Sequence, residues 1–377
     1  MSKTAINTSY TGSTSYNFVS NDKTIKGVKP KSGIISLDLV NSMAQPKEPT
    51  LFDNVETDTR LAQMQAIDEK HLINRGGKPT YLTYKQHKII YALALFLSHN
   101  RDDEEFRDYV NTITQRRATR RPYNFLISIT ELTKLVSTEG KAKAQQKEQV
   151  LADLRLLSEI KQVQTFEVPD KKGGMVRLTA PLIILKEQAE DLSPDKHLDA
   201  DAVVVEFGSV FFSDIYNSFA VIKPQLFDIW GKTGSGTTTE LFNVLLSDLL
   251  AKYKQYWIRA QKATKGVKKS QYKTETEYIK AVEKVQSSAL TYPQLATTIR
   301  SRVTRDYESK RSYKAAFKKD LQGAIQALIN IGLITKATFV TTPNGERIDF
   351  VFNIDYHTED IGDSITIAQR ELEALPE

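Results

Sequence analysis

The sequence predicts an α+β fold built from two tandem winged helix-turn-helix domains. Three observations predict it: a repeated order of elements, a shared spacing of apolar residues, and a hairpin turn at the same place in both copies. Each copy reads as a short helix, a longer helix and a two-stranded hairpin, which is the order of a winged helix-turn-helix. The residues with matching offsets, which define one apolar face on each long helix, are Val150, Leu154, Leu157 and Ile160, and Leu321, Ile325, Leu328 and Ile331.

The chain divides into four segments. Residues 1–75 are rich in Ser, Thr, Asn, Lys and Pro without a sustained period, so we expect a flexible N-terminal arm. The two winged-helix domains are expected over 76–223 and 224–356. Residues 357–377 hold six acids and one base and form an acidic tail.

The first copy opens with a helix at Thr83. Thr83 and Gln86 form a capping-box pattern, in which each side chain satisfies a backbone N–H of the other residue. Ser128 and Glu131 repeat this pattern at the start of the short helix. The segments that follow are the long helix VLADLRLLSEIKQV, the turn PDKKGG and the extended run MVRLTAPLIIL.

A linker and the second copy follow. AVVVEFG predicts a strand, and Pro224 stands near the start of a helical turn. Thr291 and Gln294 form a capping-box pattern, which predicts the short helix of this copy. Asn344-Gly345 between alternating strands predicts a hairpin, because both residue types tolerate positive φ.

The stretch WGKTGSGTTTE, residues 230–240, contains the Gly-Lys-Thr that ends a phosphate-binding loop. Such a loop also needs a glycine five residues before Gly231, where this chain has Leu226. The bulky residues in between are unsuited to wrapping backbone amides around phosphate. We therefore interpret the glycines as a flexible turn between the domains and expect Thr237, with Glu240, to cap the next helix.

Composition excludes several classes of protein. The chain has no cysteine, which excludes disulfides and thiolate metal sites. It has no uninterrupted apolar run of the roughly 18 residues that a membrane span needs, and its N-terminus lacks the apolar core of a signal peptide. We expect a cytoplasmic protein without membrane contact.

The sequence contains no recognisable catalytic or metal-binding pattern. Its five histidines are scattered, and no pair has the spacing of a metal site. This spacing also argues against a rolling-circle nickase. The acidic run at 102–105 fits the negative charge favoured at a helix N-terminus, and a two-carboxylate metal site is the alternative. We expect no enzymatic activity, no metal and no cofactor.

Positive charge is concentrated in one region. The net charge is +6, but residues 251–320 hold 18 Lys or Arg and six Asp or Glu, a local net charge of +12. Such clustering is typical of proteins that bind an anionic polymer. An ordinary solvated basic face is the alternative.

In a helix-turn-helix, the N-terminal part of the second helix meets base edges in the major groove. Arg reads guanine, Gln reads adenine, and Lys holds phosphates. In the second copy, the outward residues predicted to contact DNA are Arg311, Ser312, Lys314, Lys318, Lys319 and Gln322. In the first copy they are Lys141, Lys143, Gln146 and Lys147. The alternative for both helices is an ordinary solvated amphipathic face. The sequence favours DNA contact over this alternative more clearly in the second copy than in the first.

Three further basic features are candidates for phosphate contacts. They are a loop with Arg116, Arg117, Arg120 and Arg121, the first hairpin turn with Lys171, Lys172 and Arg177, and the stretch KATKGVKKS with Lys262, Lys265, Lys268 and Lys269. With roughly 6 to 10 phosphate contacts, affinity is expected to fall about 10³- to 10⁵-fold between 50 and 200 mM salt. Measured affinity that is insensitive to salt would contradict this expectation.

The pattern over residues 80–355 resembles the replication initiator (Rep) proteins of theta-replicating, iteron-containing bacterial plasmids. The resemblance rests on apolar patterns rather than invariant letters. The segments that carry it are SITELTKLV, VLADLRLLSEI, VVVEFGSVFFSDIYNSFAVIKPQLFDIW, TTTELFNVLLSDLL, LTYPQLATTIRSR and FKKDLQGAIQALINIGLI. The long N-terminal arm, the basic stretch around 259–285 and the acidic tail depart from the family layout.

The resemblance implies sequence-specific binding of double-stranded DNA at repeated origin sites, opening of an AT-rich segment, and contact with the host initiator and replicative helicase. It also implies a monomer–dimer equilibrium in which dimers, formed through the first domain, repress the protein's own gene. The second domain would be the main reader, through Arg311, Lys314 and Lys318. A transcriptional regulator without a replication role is the nearest alternative, followed by a nickase or ATPase and a DNA-packaging protein.

Overall fold

The computed structural model describes residues 16–20, 23–28, 33–43, 72–73, 75, 80, 82–98, 124–137, 141–167, 175–186, 202–208, 211, 219–230, 236–300, 302–303, 311–343 and 345–357. Within these residues helices and antiparallel strands are combined, so the α+β class is confirmed. We call the described residues before 224 the first half and those from 224 onward the second half.

The elements have the following bounds. The helices are α1 (Leu37–Met43), α2 (Tyr84–Ser98), α3 (Ile129–Val136), α4 (Ala144–Glu159), α5 (Gln225–Trp230), α6 (Gly236–Lys265), α7 (Glu275–Ala289), α8 (Ala296–Arg300) and α9 (Arg311–Asn330). The strands are β1 (Tyr16–Ser20), β2 (Lys23–Val28), β3 (Gly33–Ser36), β4 (Leu72–Ile73), β5 (Asn124–Ser128), β6 (Lys161–Glu167), β7 (Met175–Pro181), β8 (Ile183–Lys186), β9 (Ala202–Phe207), β10 (Phe219–Ile222), β11 (Thr291–Leu295), β12 (Ile334–Thr342) and β13 (Gly345–Phe352).

The described strands form four antiparallel sheets. The first half contains a five-stranded sheet of order β2-β1-β5-β9-β8 and a three-stranded sheet of order β4-β6-β7. β3 pairs with β10 in a two-stranded sheet. The second half contains a three-stranded sheet of order β11-β13-β12.

Local sequence explains where the helices of the first half begin. The Thr83–Gln86 capping box is confirmed, because Thr83 N donates to Gln86 Oε1 at 2.8 Å and Gln86 N donates to Thr83 Oγ1 at 3.3 Å. Ser128 caps α3 by accepting from Glu131 N at 3.3 Å. The expected helical turn after Pro224 is α5.

The apolar faces of the two long helices are confirmed. All eight residues with matching offsets on α4, on α9 and just beyond their ends are buried, as one face of a helix packed on a core requires. The second hairpin is also confirmed, since β12 and β13 pair up to Thr342 and Gly345. Gly345 has a φ of +107°, which a residue with a side chain rarely adopts.

The prediction of a flexible arm over residues 1–75 is wrong for residues 16–20, 23–28, 33–43 and 72–73, which form strands and a helix. β1 and β2 extend the sheet that contains β5, β3 pairs with β10, and α1 packs on α6. Ile35, Leu39 and Val40 are fully buried. These apolar residues are too few to show a period, but tertiary packing supplies the surface that buries them.

The prediction of a capped helix at Thr291 is wrong. Thr291 to Leu295 is the edge strand β11, and Thr291 Oγ1 donates to Ser287 O at 2.7 Å. Gln294 instead donates to the carboxylate of Asp248. The short helix α8 begins only at Ala296. The edge position also tolerates Pro293, which has no N–H to donate to a neighbour.

The run MVRLTAPLIIL was expected to be one strand, but it forms two strands of different sheets. β7 pairs with β6, and β8 pairs with β9. Leu182, between them, donates its N–H to Ile160 O at 3.0 Å and accepts from Gly208 N at 2.8 Å. A Cβ at Gly208 would lie 1.7 Å from Pro181 O, so this crossing requires glycine.

The prediction that Thr237 caps α6 is also wrong. α6 begins at Gly236, so Thr237 lies within the first turn of the helix and not before it. Ends of helices are the least certain part of a sequence prediction. The glycines at 231 and 234, predicted to form a flexible turn, lie outside the described residues.

A continuous hydrophobic core joins the two halves. The hydroxyl of Tyr91 on α2 lies 3.0 Å from that of Ser247 on α6. Tyr356, near the end of the described chain, donates to Val221 O on β10 at 2.9 Å. The expected boundary at 223/224 therefore falls in a segment that both halves help to bury.

Candidate nucleic-acid interface

Helix α9 has a buried face and a polar face. The apolar residues on one side of the helix are buried against the core: Phe317, Leu321, Ala324, Ile325 and Leu328. Lys318, Lys319 and Gln322 are exposed on the opposite side, as the helical period predicts. Three predicted DNA-contacting residues therefore lie together on one solvent-facing surface, which we call the α9 face.

The other three predicted residues of this helix lie in its first turn. Arg311, Ser312 and Lys314 belong to α9, but their side chains are outside the described part of the structure. Their contribution to the α9 face stays a prediction.

The β12–β13 hairpin lies beside the α9 face. Lys318 Nζ is 5.5 Å from the ring centroid of Phe339 on β12, within cation–π range. On β13, Arg347 is held by Asp349, with Nη2 to Oδ2 at 2.9 Å and Nε to Oδ1 at 2.8 Å. Lys318 therefore lies beside a hairpin whose Arg347 is already paired with a carboxylate.

A buried polar cluster fixes the elements beneath α9. Asp248 of α6 accepts from Tyr292 Oη and from Gln294 Nε2, both at 3.0 Å. Arg302, between α8 and α9, places Nη1 3.2 Å from the other carboxylate oxygen of Asp248. Burial, followed by the charge of Asp248, raises the pKa of Tyr292. We call these four residues the Asp248 cluster, and they tie α6, β11 and the approach to α9 together.

Three further contacts position α9 itself. Thr238 Oγ1 donates to Asp320 Oδ1 at 3.2 Å, which joins the first turn of α6 to α9. A Cβ at Gly323 would lie 2.9 Å from Thr238 Cγ2, so the two helices approach closely at this glycine. The guanidinium of Arg300 on α8 lies 4.9 Å from the ring centroid of Phe317.

The Asp248 cluster was missed by sequence reasoning. Its signal is a lone acid within the apolar helical run LFNVLLSDLLAKY. A carboxylate on a buried face requires a charged or hydrogen-bonding partner. The sequence does not identify those partners, since Tyr292 and Arg302 are more than 40 residues away along the chain.

In the first copy, only two of the four predicted DNA-contacting residues are exposed. Lys141 and Lys143 are exposed, whereas Gln146 and Lys147 are half-buried. Gln146 Oε1 accepts from Lys143 N at 3.1 Å within its own helix, and its contact with DNA stays a prediction. α4 begins at Ala144, so Gln146 is in the first turn, where it satisfies a free backbone N–H.

The remaining predicted basic contacts divide into three groups. Arg177 lies on β7, but its side chain is outside the described part of the structure. Arg116, Arg117, Arg120, Arg121, Lys171 and Lys172 lie outside the described residues. Lys262, Lys265, Lys268 and Lys269 are described, and all four are exposed at the end of α6 and in the turn that follows.

A second buried polar group lies between the halves. His87 Nδ1 of α2 is 3.5 Å from Ser247 Oγ of α6, which is also 3.0 Å from Tyr91 Oη. Burial lowers the pKa of His87 from 6.5 to about 4, so the ring is neutral at physiological pH. His87 and Ser247 are 7% and 0% exposed. This Ser–His pair has no access for a substrate and is a structural contact.

Across the described ranges, no group of three or more His, Asp and Glu side chains is arranged to hold a metal ion. None of the helices that the structure describes combines the length and apolar character that crossing a bilayer requires.

The chain was compared with known proteins at three levels. No protein-family model, curated protein or solved structure matches it. Its function therefore has to be inferred from its own residues and geometry.

Proposed function

We propose that the protein binds double-stranded DNA sequence-specifically, with α9 as the principal reader in the major groove. The observation that carries the proposal is the α9 face, where Lys318, Lys319 and Gln322 are exposed on a helix whose opposite side is buried. A helix of about 10–12 Å diameter fits a major groove of about 12 Å. Gln322 has the groups to read an adenine, and the lysines suit phosphates.

The proposal includes a winged-helix arrangement of the second half. Its support is the order α6, α7, β11, α8, α9, β12, β13, in which α7 is an addition between the first helix and the first strand, with a sheet of order β11-β13-β12. In the first half, α3 and α4 precede the β6–β7 hairpin, but β5 pairs with β9 and not with that hairpin. The support for a winged helix is therefore stronger in the second half.

The proposed role is initiation of plasmid replication at repeated origin sites, with repression of the protein's own gene as a dimer. Its support is the resemblance to plasmid initiators together with a two-copy layout suited to a long DNA site. Host initiator and replicative helicase are the proposed partners. A transcriptional regulator would use the same DNA-binding surface, so the replication role requires a separate experiment.

DNA binding is tested by selection from a randomised duplex library. Wild-type protein is expected to enrich one sequence motif. Gln322→Ala is expected to relax preference at one position at a cost of about 1–3 kcal/mol, whereas Lys319→Ala weakens binding to all sequences. Gln326→Ala, an exposed glutamine one turn further along α9, is the matched control. Failure of the wild-type protein to enrich any motif would overturn the proposal.

The replication role is tested with a plasmid that carries the gene, its flanking DNA and a selectable marker but no other origin. Autonomous replication that is lost in the Lys319→Ala, Gln322→Ala double variant supports the initiator role. A protein that binds a motif and represses transcription without supporting replication is a regulator. Nicking of supercoiled DNA or ATP hydrolysis by purified protein would point to an enzyme.

A further inference from the structure

Helices α6 and α7 form an arm that leaves the core. α6 has 30 residues, which corresponds to a length of about 45 Å. Ala260 is its last buried residue, and α7, which packs against α6, has no buried residue at all. Nine residues, 266–274, connect the two helices. The chain rejoins the core at Leu290, whose carbonyl accepts from Phe352 N at 3.1 Å.

The excess of positive charge lies in one part of this arm. Residues 251–274 contain eight Lys or Arg and no Asp or Glu. In α7 the charges are balanced more evenly, with lysines at 280 and 284 and glutamates at 275, 277 and 283. The excess charge therefore lies on the outer part of α6 and on the connection.

The tip of the arm is the end of α6 and the connection that follows it, and it carries Lys262, Lys265 and Lys268. These lysines are available to an external anion. Lys262, Lys265 and Lys268 are exposed, and none of the described carboxylates forms an ion pair with them. Lys269 differs, because it pairs with Glu275 and lies 5.9 Å from the ring centroid of Tyr278. Lys262 and Lys265 are three residues apart on α6, a spacing at which like charges repel one another, and a bound anion would relieve that repulsion.

The chemistry of the tip suits a phosphate backbone better than a base edge. Lys ammonium is a compact point charge on a flexible stem, without the planar fork with which Arg reads guanine. α6 and α7 belong to the same half of the molecule as α9, and they precede β11 in the chain. A second contact on the same duplex therefore becomes intramolecular once α9 has bound, which raises its effective concentration.

We propose that the tip of this arm, through Lys262, Lys265 and Lys268, binds the phosphate backbone of duplex DNA outside the segment read by α9. This inference rests on the proposed function, and it assigns the arm a sequence-independent contact that lengthens the bound site. Each phosphate contact contributes about 0.9 to the slope of log K against log salt. Two lysines removed together are expected to lower that slope by about 2.

The test compares two matched double variants of the full-length protein on the duplex that wild-type protein selects. Lys265→Ala, Lys268→Ala removes two tip lysines, and Lys280→Ala, Lys284→Ala removes two exposed lysines of α7. Affinity is measured at several salt concentrations, and hydroxyl-radical footprinting measures the length of the protected site. Thermal unfolding and circular dichroism establish that both variants remain folded.

The tip variant is expected to bind on the order of tenfold more weakly near 0.1 M salt, with a smaller salt slope. It should select the same sequence motif and protect a shorter site. The α7 variant should match wild type in affinity, slope and footprint. Lys265→Glu, Lys268→Glu is expected to weaken binding further, because it places repulsive charge against the phosphates.

Equal affinity, slope and footprint for the tip and α7 variants would overturn the role of the arm. If Gln322→Ala still relaxed the selected motif and Lys319→Ala still weakened binding in that case, the proposed function would stand without the arm. Wild-type protein that binds no duplex would overturn both proposals. A tip variant that binds DNA normally but loses binding to polyglutamate would make the arm a docking site for an acidic protein, and the DNA proposal would be wrong.

Discussion

At the scale of single residues, charge inside this protein is held by specific partners. Asp248 and Arg302 have side chains that are 12% and 8% exposed and lie 3.2 Å apart. Tyr292 and Gln294 occupy the second carboxylate oxygen. Removing one member of such a group leaves the opposite charge buried without compensation, which costs more than the pair contributes.

Asp248→Ala is therefore expected to lower the free energy of unfolding by about 3–5 kcal/mol, because it leaves the guanidinium of Arg302 buried without its carboxylate. Urea denaturation measures the loss. The control is Glu206→Ala, which breaks the more exposed ion pair with Lys186 at 3.4 Å and should cost at most about 1 kcal/mol. Similar losses for the two variants would contradict a special role for the Asp248 cluster.

His87 predicts a dependence of stability on pH. Its pKa is lowered to about 4 in the folded protein against 6.5 in the unfolded chain. Between these values the unfolded state binds the proton and the folded state does not, so stability falls as pH decreases through this window. The shift corresponds to about 3 kcal/mol in total. Burial lowers the pKa of Lys88 to about 8, so the titration of Lys88 changes the free energy of unfolding only in alkaline solution.

The measurement is urea denaturation at several pH values between 4 and 7, for wild type and His87→Gln. The variant is less stable near neutrality, because it disturbs the contact with Ser247. However, it should lose much less stability than wild type between pH 6.5 and 4. Parallel pH profiles for the two proteins would show that His87 does not titrate in this range.

At the scale of elements, α9 is positioned by its contact with α6. Gly323 allows Thr238 to approach so closely that a Cβ would lie 2.9 Å from its methyl group. A glycine within a helix costs about 1 kcal/mol relative to alanine. Its presence on α9 is explained by this helix contact, since the neighbouring Asp320 also accepts from Thr238.

Gly323→Ala is accordingly expected to destabilise the protein by about 1 kcal/mol, since overpacking of about 1–3 kcal/mol exceeds the gain in helix propensity. Thr238→Ser removes the obstructing methyl group and keeps the hydroxyl. In a double-mutant cycle measured by urea denaturation, Gly323→Ala should then become neutral or stabilising. Additive effects of the two changes would contradict the close approach.

At the scale of the whole molecule, the segments 16–20, 23–28 and 33–43 bind the halves to each other. β1 joins the sheet of the first half, β3 pairs with β10, and α1 packs on α6 of the second half. Leu39 of α1 is fully buried in the shared core. The two halves are thus expected to unfold as one cooperative unit, although each contains its own copy of the repeated pattern.

Leu39→Ala tests this coupling. Deleting a buried leucine side chain costs about 2–5 kcal/mol, and hydrogen exchange should accelerate in slow-exchanging segments of both halves, β5 and β13 among them. Leu156→Ala, which alters a leucine that is 51% exposed, is the control and should cost about 0.5 kcal/mol or less. Faster exchange confined to one half would show that the halves unfold independently.

The sequence predicted the features that depend on local chemistry. The Thr83–Gln86 box, the Ser128 cap, the apolar faces of α4 and α9 and the hairpin at Gly345 follow from nearby residues. It failed at Thr291 and Gln294, where the residues of a capping box form a strand because Asp248 takes the glutamine side chain. It also placed the segments 16–20, 23–28 and 33–43 in a flexible arm, because short apolar segments acquire structure only from what they pack against.

The sequence by itself thus determined the α+β class, the two amphipathic long helices and the concentration of positive charge in residues 251–320. These features depend on the period and composition of side chains that are close together in the chain, so the local sequence is enough to predict them. Tertiary structure alone decided the Asp248 cluster, the shared core and the exposure of the basic arm. Each of these features depends on residues brought together from distant parts of the chain. The local sequence around a residue does not show which distant residue it will contact.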